Sequence, residues 1–173
     1  KNKIDVLRGH GSIESKGVVA VENEEGRTLY EADHIILATG ARPRQMPFIP
    51  VDSEKIITSR EALVVKELPE SIIVIGSGAI GSEFAFFYAS LGVKVTVVEY
   101  MPQMMPLEDE EVAKAMERSF RKMRATVLTS TTVKAVRVED GICQVDIEGK
   151  KGAETLSAEV VLSAVGIKSN IEN

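Results

Sequence analysis

The chain has 173 residues, of which 44% are hydrophobic, enough for one compact core or for one domain with attached pieces. Its 21 basic and 26 acidic residues give a net charge of −5 and form no basic stripe, which argues against a nucleic-acid partner. No apolar run approaches the roughly 20 residues that a membrane-spanning helix needs, so we expect no membrane association. The single cysteine, Cys143, cannot form a disulfide within the chain, which favours a packing role and a reducing, cytoplasmic setting.

The first 50 residues predict an antiparallel meander followed by a linker. Three strand-like runs cover 5–13, 17–21 and 28–38, the last of them interrupted near its middle, and turn residues at 23–26 separate the second run from the third. The third run ends at Ala38-Thr39-Gly40. Prolines at 43, 47 and 50 then argue against a helix or a central strand in the linker.

The rest of the chain predicts helices and strands in alternation, followed by a second run of strands. A short helix is expected over 59–65, with Ser59 as its N-cap and Ala62-Leu63 turned inward. An amphipathic helix is expected over 109–123, because Val112, Met116, Phe120 and Met123 recur at helical spacing. We interpret the methionines as core residues and expect no metal site. Strands are expected at 71–75, 95–98, 125–128, 132–138, 142–147, 154–158 and 160–164.

The most informative stretch is the apolar run 71–75, which leads directly into Gly76-x-Gly78-x-x-Gly81 and then into a predicted helix over 79–91. Gly76 permits the tight turn, Gly78 lets the backbone approach a pyrophosphate, and Gly81 lets the helix pack closely on the sheet. The helix start offers unpaired N–H groups and the positive end of its dipole to phosphate. Strand, glycines, helix and a second strand together indicate a dinucleotide-binding βαβ unit.

The second strand of this unit ends in Glu99, where a carboxylate can accept hydrogen bonds from the diol of an adenosine ribose. A 2′-phosphate would meet the same negative charge, and residues 100–105 contain no Arg or Lys to compensate for it. The sequence therefore predicts NAD(H) rather than NADP(H). The alternative is a tight strand–helix turn followed by a solvated glutamate.

Several motifs in fixed order resemble the flavin-dependent pyridine nucleotide–disulfide oxidoreductases, and among these the dihydrolipoamide dehydrogenase branch. They are Ala38-Thr39-Gly40-Ala41-Arg42-Pro43, Thr58-Ser59, the 76–85 glycine motif, Val95 to Glu99, Asp109 and Ala164-Val165-Gly166. The resemblance implies a Rossmann-like FAD/NAD(P)-binding α/β fold of three layers, with a parallel sheet between helices and an antiparallel meander. It also implies that 1–50 belong to a discontinuous FAD domain, 51–166 form the NAD domain, and 167–173 start the return to the FAD domain.

By the same resemblance, two sets of residues would contact cofactors. Glu83 would support catalysis by facing the nicotinamide and flavin, although a carboxylate in the first turn also suits the helix dipole. Val133 and Gly166 would line the adenine and nicotinamide ends. The residues implied for NAD are Gly76, Ser77, Gly78, Ala79, Ile80, Gly81, Glu83, Glu99, Val133 and Gly166, and those for FAD in an intact enzyme are Gly11, Thr39, Gly40 and Ala41.

The resemblance further implies a parent enzyme that passes electrons from dihydrolipoamide through a disulfide and FAD to NAD⁺. Such an enzyme is a homodimer in a 2-oxo acid dehydrogenase complex, and this chain would need the rest of the FAD domain and an interface domain as partners. No residue here can replace the redox cysteine pair, so the chain alone is expected to be inactive.

Three alternatives stay open. Ile167-Lys168-Ser169-Asn170 departs from the Arg and Pro-Asn that often follow the last Ala-x-Gly in the family, which leaves NADH oxidases, CoA-disulfide reductases and nitrite reductase flavoproteins as possible relatives. A glutathione-reductase-like NADPH enzyme is disfavoured by Glu99. An NAD-binding module without catalysis is the alternative from another class.

Overall fold

The computed structural model describes residues 3–172, which form two compact units that divide after Gly40. The first unit is an antiparallel sheet of three strands in the order β1-β2-β3: β1 (His10–Ser15), β2 (Val18–Asn23) and β3 (Gly26–Glu31). The turn at 24–25 is held by Asn23, whose side-chain oxygen accepts from the N–H of Glu25. Ala20 is the one residue of these strands that is fully buried.

Two parts of the predicted first meander are not strands. Residues 5–9 precede β1 without pairing, and 34–38 lie outside regular structure, with Ile36 90% and Leu37 69% exposed. An apolar strand is stable only between partners that satisfy its backbone and cover its side chains, and no strand in the described part of the chain pairs with 34–38.

The second unit is built on a five-stranded parallel sheet in the order β5-β12-β6-β7-β8. Its strands are β5 (Ile56–Ile57), β6 (Ser71–Ile75), β7 (Lys94–Val98), β8 (Thr126–Leu128) and β12 (Val160–Ser163). The predicted strand over 125–128 is therefore an edge strand, and it is only partly covered. In the linker, β4 (Ala41–Pro43) pairs antiparallel with β13 (Ile167–Ser169) in a separate two-stranded sheet.

Three helices connect these strands. The second and third, α2 (Ala79–Ser90) and α3 (Glu110–Lys122), agree with the sequence, and Gly92 follows α2 with φ +86°. The first, α1 (Ser59–Ala62), is shorter than predicted. Its N-cap is Thr58 and not Ser59, because Thr58 forms a capping box with Glu61.

Two side chains of these helices also point differently from the prediction. Leu63, expected to turn inward, is 76% exposed just beyond the end of α1, whereas Ala62 is buried as expected. In α3, Val112 is 50% exposed and its neighbour Ala113 is fully buried, so the buried stripe is rotated by one residue at the start of the helix. None of the helices in residues 3–172 has the length and apolarity to cross a membrane.

The sheet has a different layer on each face. Because successive strand residues point to opposite faces, Ile72 and Val74 join a cluster with Tyr88 of α2 and Phe120 of α3, whereas Ile73 and Ile75 join a second cluster. That cluster packs against a meander of β9 (Thr132–Glu139), β10 (Ile142–Gly149) and β11 (Gly152–Ala158). The predicted three-layer fold is confirmed, and Cys143 is fully buried in the meander-side cluster, as its packing role predicted.

Candidate functional site

The turn between β6 and α2 depends on two glycines. Gly76 has φ +95°, and a Cβ on it would lie 2.5 Å from the carbonyl oxygen of Ala164 in the neighbouring chain segment. A Cβ on Gly81 would lie 2.0 Å from the carbonyl oxygen of Gly76, which no backbone could accommodate without moving. A Cβ on Gly78 would meet nothing within 4 Å. Gly76 and Gly81 are therefore needed for the turn itself, and Gly78 faces open space.

The start of α2 is arranged to receive an anion. Its N-cap is Gly78, which has no side chain to bond the first N–H groups, and no acidic residue stands in the first turn of the helix. Glu83, expected in that turn, is the fifth residue of α2 and lies beyond it, because the helix begins at Ala79. The N–H groups that lack partners inside the helix and the positive end of the helix dipole are thus left to a ligand.

Glu99 is buried next to this turn, only 6% exposed, at the end of β7. Its Oε2 accepts from the N–H of Ser77 at 2.7 Å and from the Ser77 hydroxyl at 2.8 Å, and its Oε1 accepts from the N–H of Met101 at 2.8 Å. A carboxylate with three donors is well compensated for its burial. The side chain of Glu99 therefore joins the ends of β6 and β7 rather than extending into solvent.

Backbone hydrogen bonds hold the surrounding loops. The carbonyl oxygen of Ser77 accepts from the N–H of Met105 at 3.0 Å and from the Ser82 hydroxyl at 2.8 Å. On the other side of Glu99, its carbonyl oxygen accepts from the N–H of Thr131 at 2.9 Å. The loops that follow β6, β7 and β8 are thus fixed to one another at the carboxyl ends of three parallel strands, where open α/β sheets bind ligands.

These ends surround a cleft of about 520 Å³. Five of the predicted residues line it, namely Gly76, Gly78, Glu99, Val133 and Gly166. The rest of the wall is mostly apolar, and its residues were not predicted from the sequence to belong to the site. Those residues are Met46, Phe48, Ile75, Val98, Tyr100, Pro106, Thr131, Thr132, Ala164 and Val165.

Met46 and Phe48 come from the proline-rich linker, which folds back over the meander through a hydrogen bond from the N–H of Val136 to the carbonyl oxygen of Phe48. No signal in the sequence predicts this return. Ala164 and Val165 could have been assigned, because they belong to the Ala-x-Gly motif that places Gly166 in the wall.

The other residues predicted for NAD lie behind or beside the cleft. Ser77 is fully buried and reaches it only through Glu99, and Gly81 is buried in the contact between α2 and the turn. Ala79 and Glu83 are exposed on α2, and Ile80 is half-buried there.

The residues predicted for FAD are exposed and are divided between the two units. Gly11 lies in β1, where a Cβ would meet no atom within 4 Å. Thr39 and Gly40 end the first unit, and Ala41 begins β4 in the second.

The charge of the cleft comes from one group. Glu99 is the only charged side chain among the described residues that line it, so no Lys or Arg is present to receive a 2′-phosphate. Within residues 3–172, no group of His, Cys, Asp and Glu side chains is arranged to hold a metal ion. Burial raises the pKa of the Cys143 thiol, which favours its protonated and unreactive form.

The comparisons with known proteins agree with this fold. A family model described as pyridine nucleotide-disulphide oxidoreductase matches residues 1–173. The chain is 43% identical to a dihydrolipoyl dehydrogenase of Chlorobaculum parvum over 175 residues, which cover 99% of this chain and 37% of that protein. The solved structure of LpdA from Mycobacterium tuberculosis is similar with a TM-score of 0.76 at 30% identity, over 95% of this chain and 36% of that one.

A second solved structure, an NAD-dependent persulfide reductase from A. fulgidus, is similar with a TM-score of 0.70 at 30% identity. The match covers 95% of this chain and 31% of that one. The chain thus spans about a third of the length of these relatives.

Proposed function

Because the chain belongs to the pyridine nucleotide-disulphide oxidoreductase family, we propose that the cleft at the ends of β6, β7 and β8 binds NAD(H). In this proposal 51–166 are the NAD-binding domain, 1–50 contribute to a discontinuous FAD domain, and 167–173 lead back to it. The observation that carries the proposal is the buried carboxylate of Glu99 beside the open backbone of Gly78.

Each part of a dinucleotide has a matching group in the cleft. Glu99 retains one open acceptor position for a hydroxyl of the adenosine ribose, because a carboxylate has about four acceptor sites and the protein fills three of them. Gly78 and the start of α2 suit the pyrophosphate. The apolar wall at Val133 suits the adenine. Gly166 in the wall and Glu83, exposed on α2, are proposed to face the nicotinamide.

We infer that the parent enzyme is a dihydrolipoamide dehydrogenase, as the 43% identity to one of them supports. The flavin and nicotinamide would supply the hydride chemistry, and the residues of this chain would orient the dinucleotide, which makes the transfer effectively unimolecular. Gly11, Thr39, Gly40 and Ala41 would contact FAD. The parent is proposed to be a cytoplasmic homodimer that serves a 2-oxo acid dehydrogenase complex.

We further propose that this chain alone does not turn over dihydrolipoamide. Its one cysteine cannot supply a redox disulfide, and that cysteine is fully buried with a raised thiol pKa. The contribution of the chain is then to bind and position the dinucleotide.

The test is calorimetric titration of the chain with NAD⁺ and, separately, NADP⁺. We expect NAD⁺ to bind at least about tenfold more tightly, because hydrogen bonds to a charged group are worth about 1.5–3 kcal/mol each. Glu99→Gln keeps the shape of the side chain and removes its charge, so it should weaken NAD⁺ binding and reduce the preference. Glu154→Ala, on the exposed surface of β11, removes the same charge away from the cleft and should change neither value.

A preference for NADP⁺ would contradict the role given to Glu99. A folded chain, judged by circular dichroism, that binds neither dinucleotide would contradict the proposed site as a whole.

A specific observation favours a second candidate function. The persulfide reductase from A. fulgidus shares 30% identity and the same fold over 95% of this chain, so the parent could reduce a different sulfur substrate with the same NAD site. A chain that binds NAD⁺ and never joins a flavoprotein would be the non-catalytic module. Oxidation of dihydrolipoamide by a complete enzyme carrying this segment distinguishes the first function from both alternatives.

A further inference from the structure

The hydrogen bonds of Glu99 leave little room for a second ligand group. Both lone pairs of Oε2 are engaged by Ser77, one by its N–H and one by its hydroxyl, and one lone pair of Oε1 is engaged by the N–H of Met101. One acceptor position on Oε1 is left. A ribose diol carries two hydroxyl donors, so it needs one position more than the carboxylate has open.

Of the three donors present, only one can withdraw. The N–H groups of Ser77 and Met101 are parts of the backbone, and the loop that carries Ser77 is fixed because its carbonyl oxygen accepts from Ser82 and Met105. The Ser77 hydroxyl, by contrast, moves by rotation about a single side-chain bond.

We propose that the Ser77 hydroxyl is a displaceable placeholder for one hydroxyl of the incoming ribose. In the empty cleft it satisfies the buried carboxylate of Glu99, and when the dinucleotide binds it rotates away from Oε2 and leaves that position to the ribose hydroxyl. It thereby stabilises the empty protein and lowers the affinity for ligands that carry both hydroxyls. This inference rests on the proposed NAD site and deepens it.

The experiment compares two ligands on two variants. NAD⁺ carries both adenosine ribose hydroxyls, whereas its 2′-deoxyadenosine analogue carries one and needs only the open position on Oε1. In Ser77→Ala we expect NAD⁺ to bind at least about tenfold more tightly than in the unchanged chain, since one hydrogen bond to a charged group no longer has to be broken. The affinity for the deoxy analogue should stay the same, and the melting temperature of the ligand-free chain should fall.

Ser82→Ala is the matched control. It removes a buried hydroxyl of the same turn that donates to the Ser77 carbonyl oxygen and forms no hydrogen bond with Glu99. It should lower the melting temperature while leaving the ratio of the two affinities unchanged. Ser77→Gly is a second variant without the hydroxyl and should shift the ratio in the same direction as Ser77→Ala.

Three other results would overturn the inference, and they can be told apart. Weaker NAD⁺ binding in Ser77→Ala would make the hydroxyl a permanent positioning group, and an unchanged ratio of affinities would make it purely structural. Failure of the unchanged chain to bind NAD⁺ would contradict the proposed function itself, which separates that failure from a failure of the placeholder.

Discussion

The chain contains two antiparallel meanders of three strands that differ in what covers them. In β1–β3 the large apolar side chains are exposed, with Ile13 and Leu29 each 53% accessible. In β9–β11 the corresponding face is buried, with Val145 fully inaccessible and Ile147 2% accessible. Both are paired antiparallel along their strands, each with one register shift, between Ile13 and Ser15 in the first and between Asp146 and Ile147 in the second. Strand pairing in a meander therefore follows from its turns and alternation, whereas its core requires a second layer.

The layer that covers the buried meander also fixes part of the wall of the cleft. Because β9–β11 pack on the parallel sheet, Val133 at the start of β9 is held in the wall of the cleft. A meander without such a layer can present exposed backbone and side chains but cannot position a group to the precision that a binding site needs.

The largest difference between the meanders should appear when a large apolar side chain is shortened in each. Ile147→Ala leaves a cavity in the meander-side cluster and should lower the free energy of unfolding by about 3 kcal/mol. Ile13→Ala, in the exposed sheet, should lower it by less than about 0.5 kcal/mol. Urea denaturation followed by circular dichroism measures both.

The rate at which Cys143 reacts with a thiol reagent is a second measurement on the same two variants. The buried thiol should react faster in Ile147→Ala and at an unchanged rate in Ile13→Ala. Equal losses of stability in the two variants would mean that β1–β3 are covered in solution, by self-association for example, and would remove the contrast.

A smaller difference is expected for a glycine in each meander. A Cβ on Gly149, at the end of β10, would lie 2.9 Å from Oγ1 of Thr131, whereas a Cβ on Gly11 in β1 would meet no atom within 4 Å. Gly149→Ala should therefore cost about 1–2 kcal/mol of stability. Because Thr131 lines the cleft, it should also weaken NAD⁺ binding.

Gly11→Ala is the control, and thermal unfolding together with NAD⁺ titration compares the two. It should change neither stability nor NAD⁺ binding by a measurable amount. A neutral Gly149→Ala would show that Thr131 can move aside, and that the buried meander is less tightly packed at its edge than at its centre.

The sequence predicted best the parts that local chemistry determines. The segment from β6 through β7 was located because the turn at Gly76 admits only glycine and the apolar runs on either side match a buried parallel strand and a helix. The N-cap at Thr58 could also have been found, since Thr58 and Glu61 have the spacing of a capping box. The strand predicted at 34–38 was wrong, because an apolar run becomes a strand only where another strand pairs with it.

The cleft was predicted only in part, for a related reason. Gly76, Gly78 and Glu99 follow from one motif, but Phe48 reaches the wall through a hydrogen bond between residues 48 and 136 that has no local signature. The bonds from Ser77 to Glu99 depend on where two loops and one side-chain torsion place their atoms. Contacts of this kind belong to the tertiary structure and not to any pattern along the chain.

The smallest effects are expected on the outer faces, where the two meanders are alike. In the buried meander Asp146 accepts from Thr155 at 2.6 Å and from Arg137 at 2.5 Å, and in the exposed one Arg27 pairs with Glu14. Because all these charges are solvated, Asp146→Asn and Glu14→Gln should each lower the melting temperature only slightly. The inner faces alone would then account for the difference in stability.

The pH dependence of the melting temperature tests the contribution of the Asp146 charge directly. The bond from Thr155 and the charge of Arg137 hold the pKa of Asp146 below its usual value. The stabilisation of the fold by the Asp146 carboxylate is therefore complete above the pKa of this group in the unfolded chain, about 3.9. It is lost as the pH falls through the lower pKa of the group in the folded chain. The melting temperatures of the unchanged chain and Asp146→Asn should differ at pH 7 and converge in strong acid. A difference that persists there would mean that Asp146 stabilises β9–β11 through its shape and not its charge.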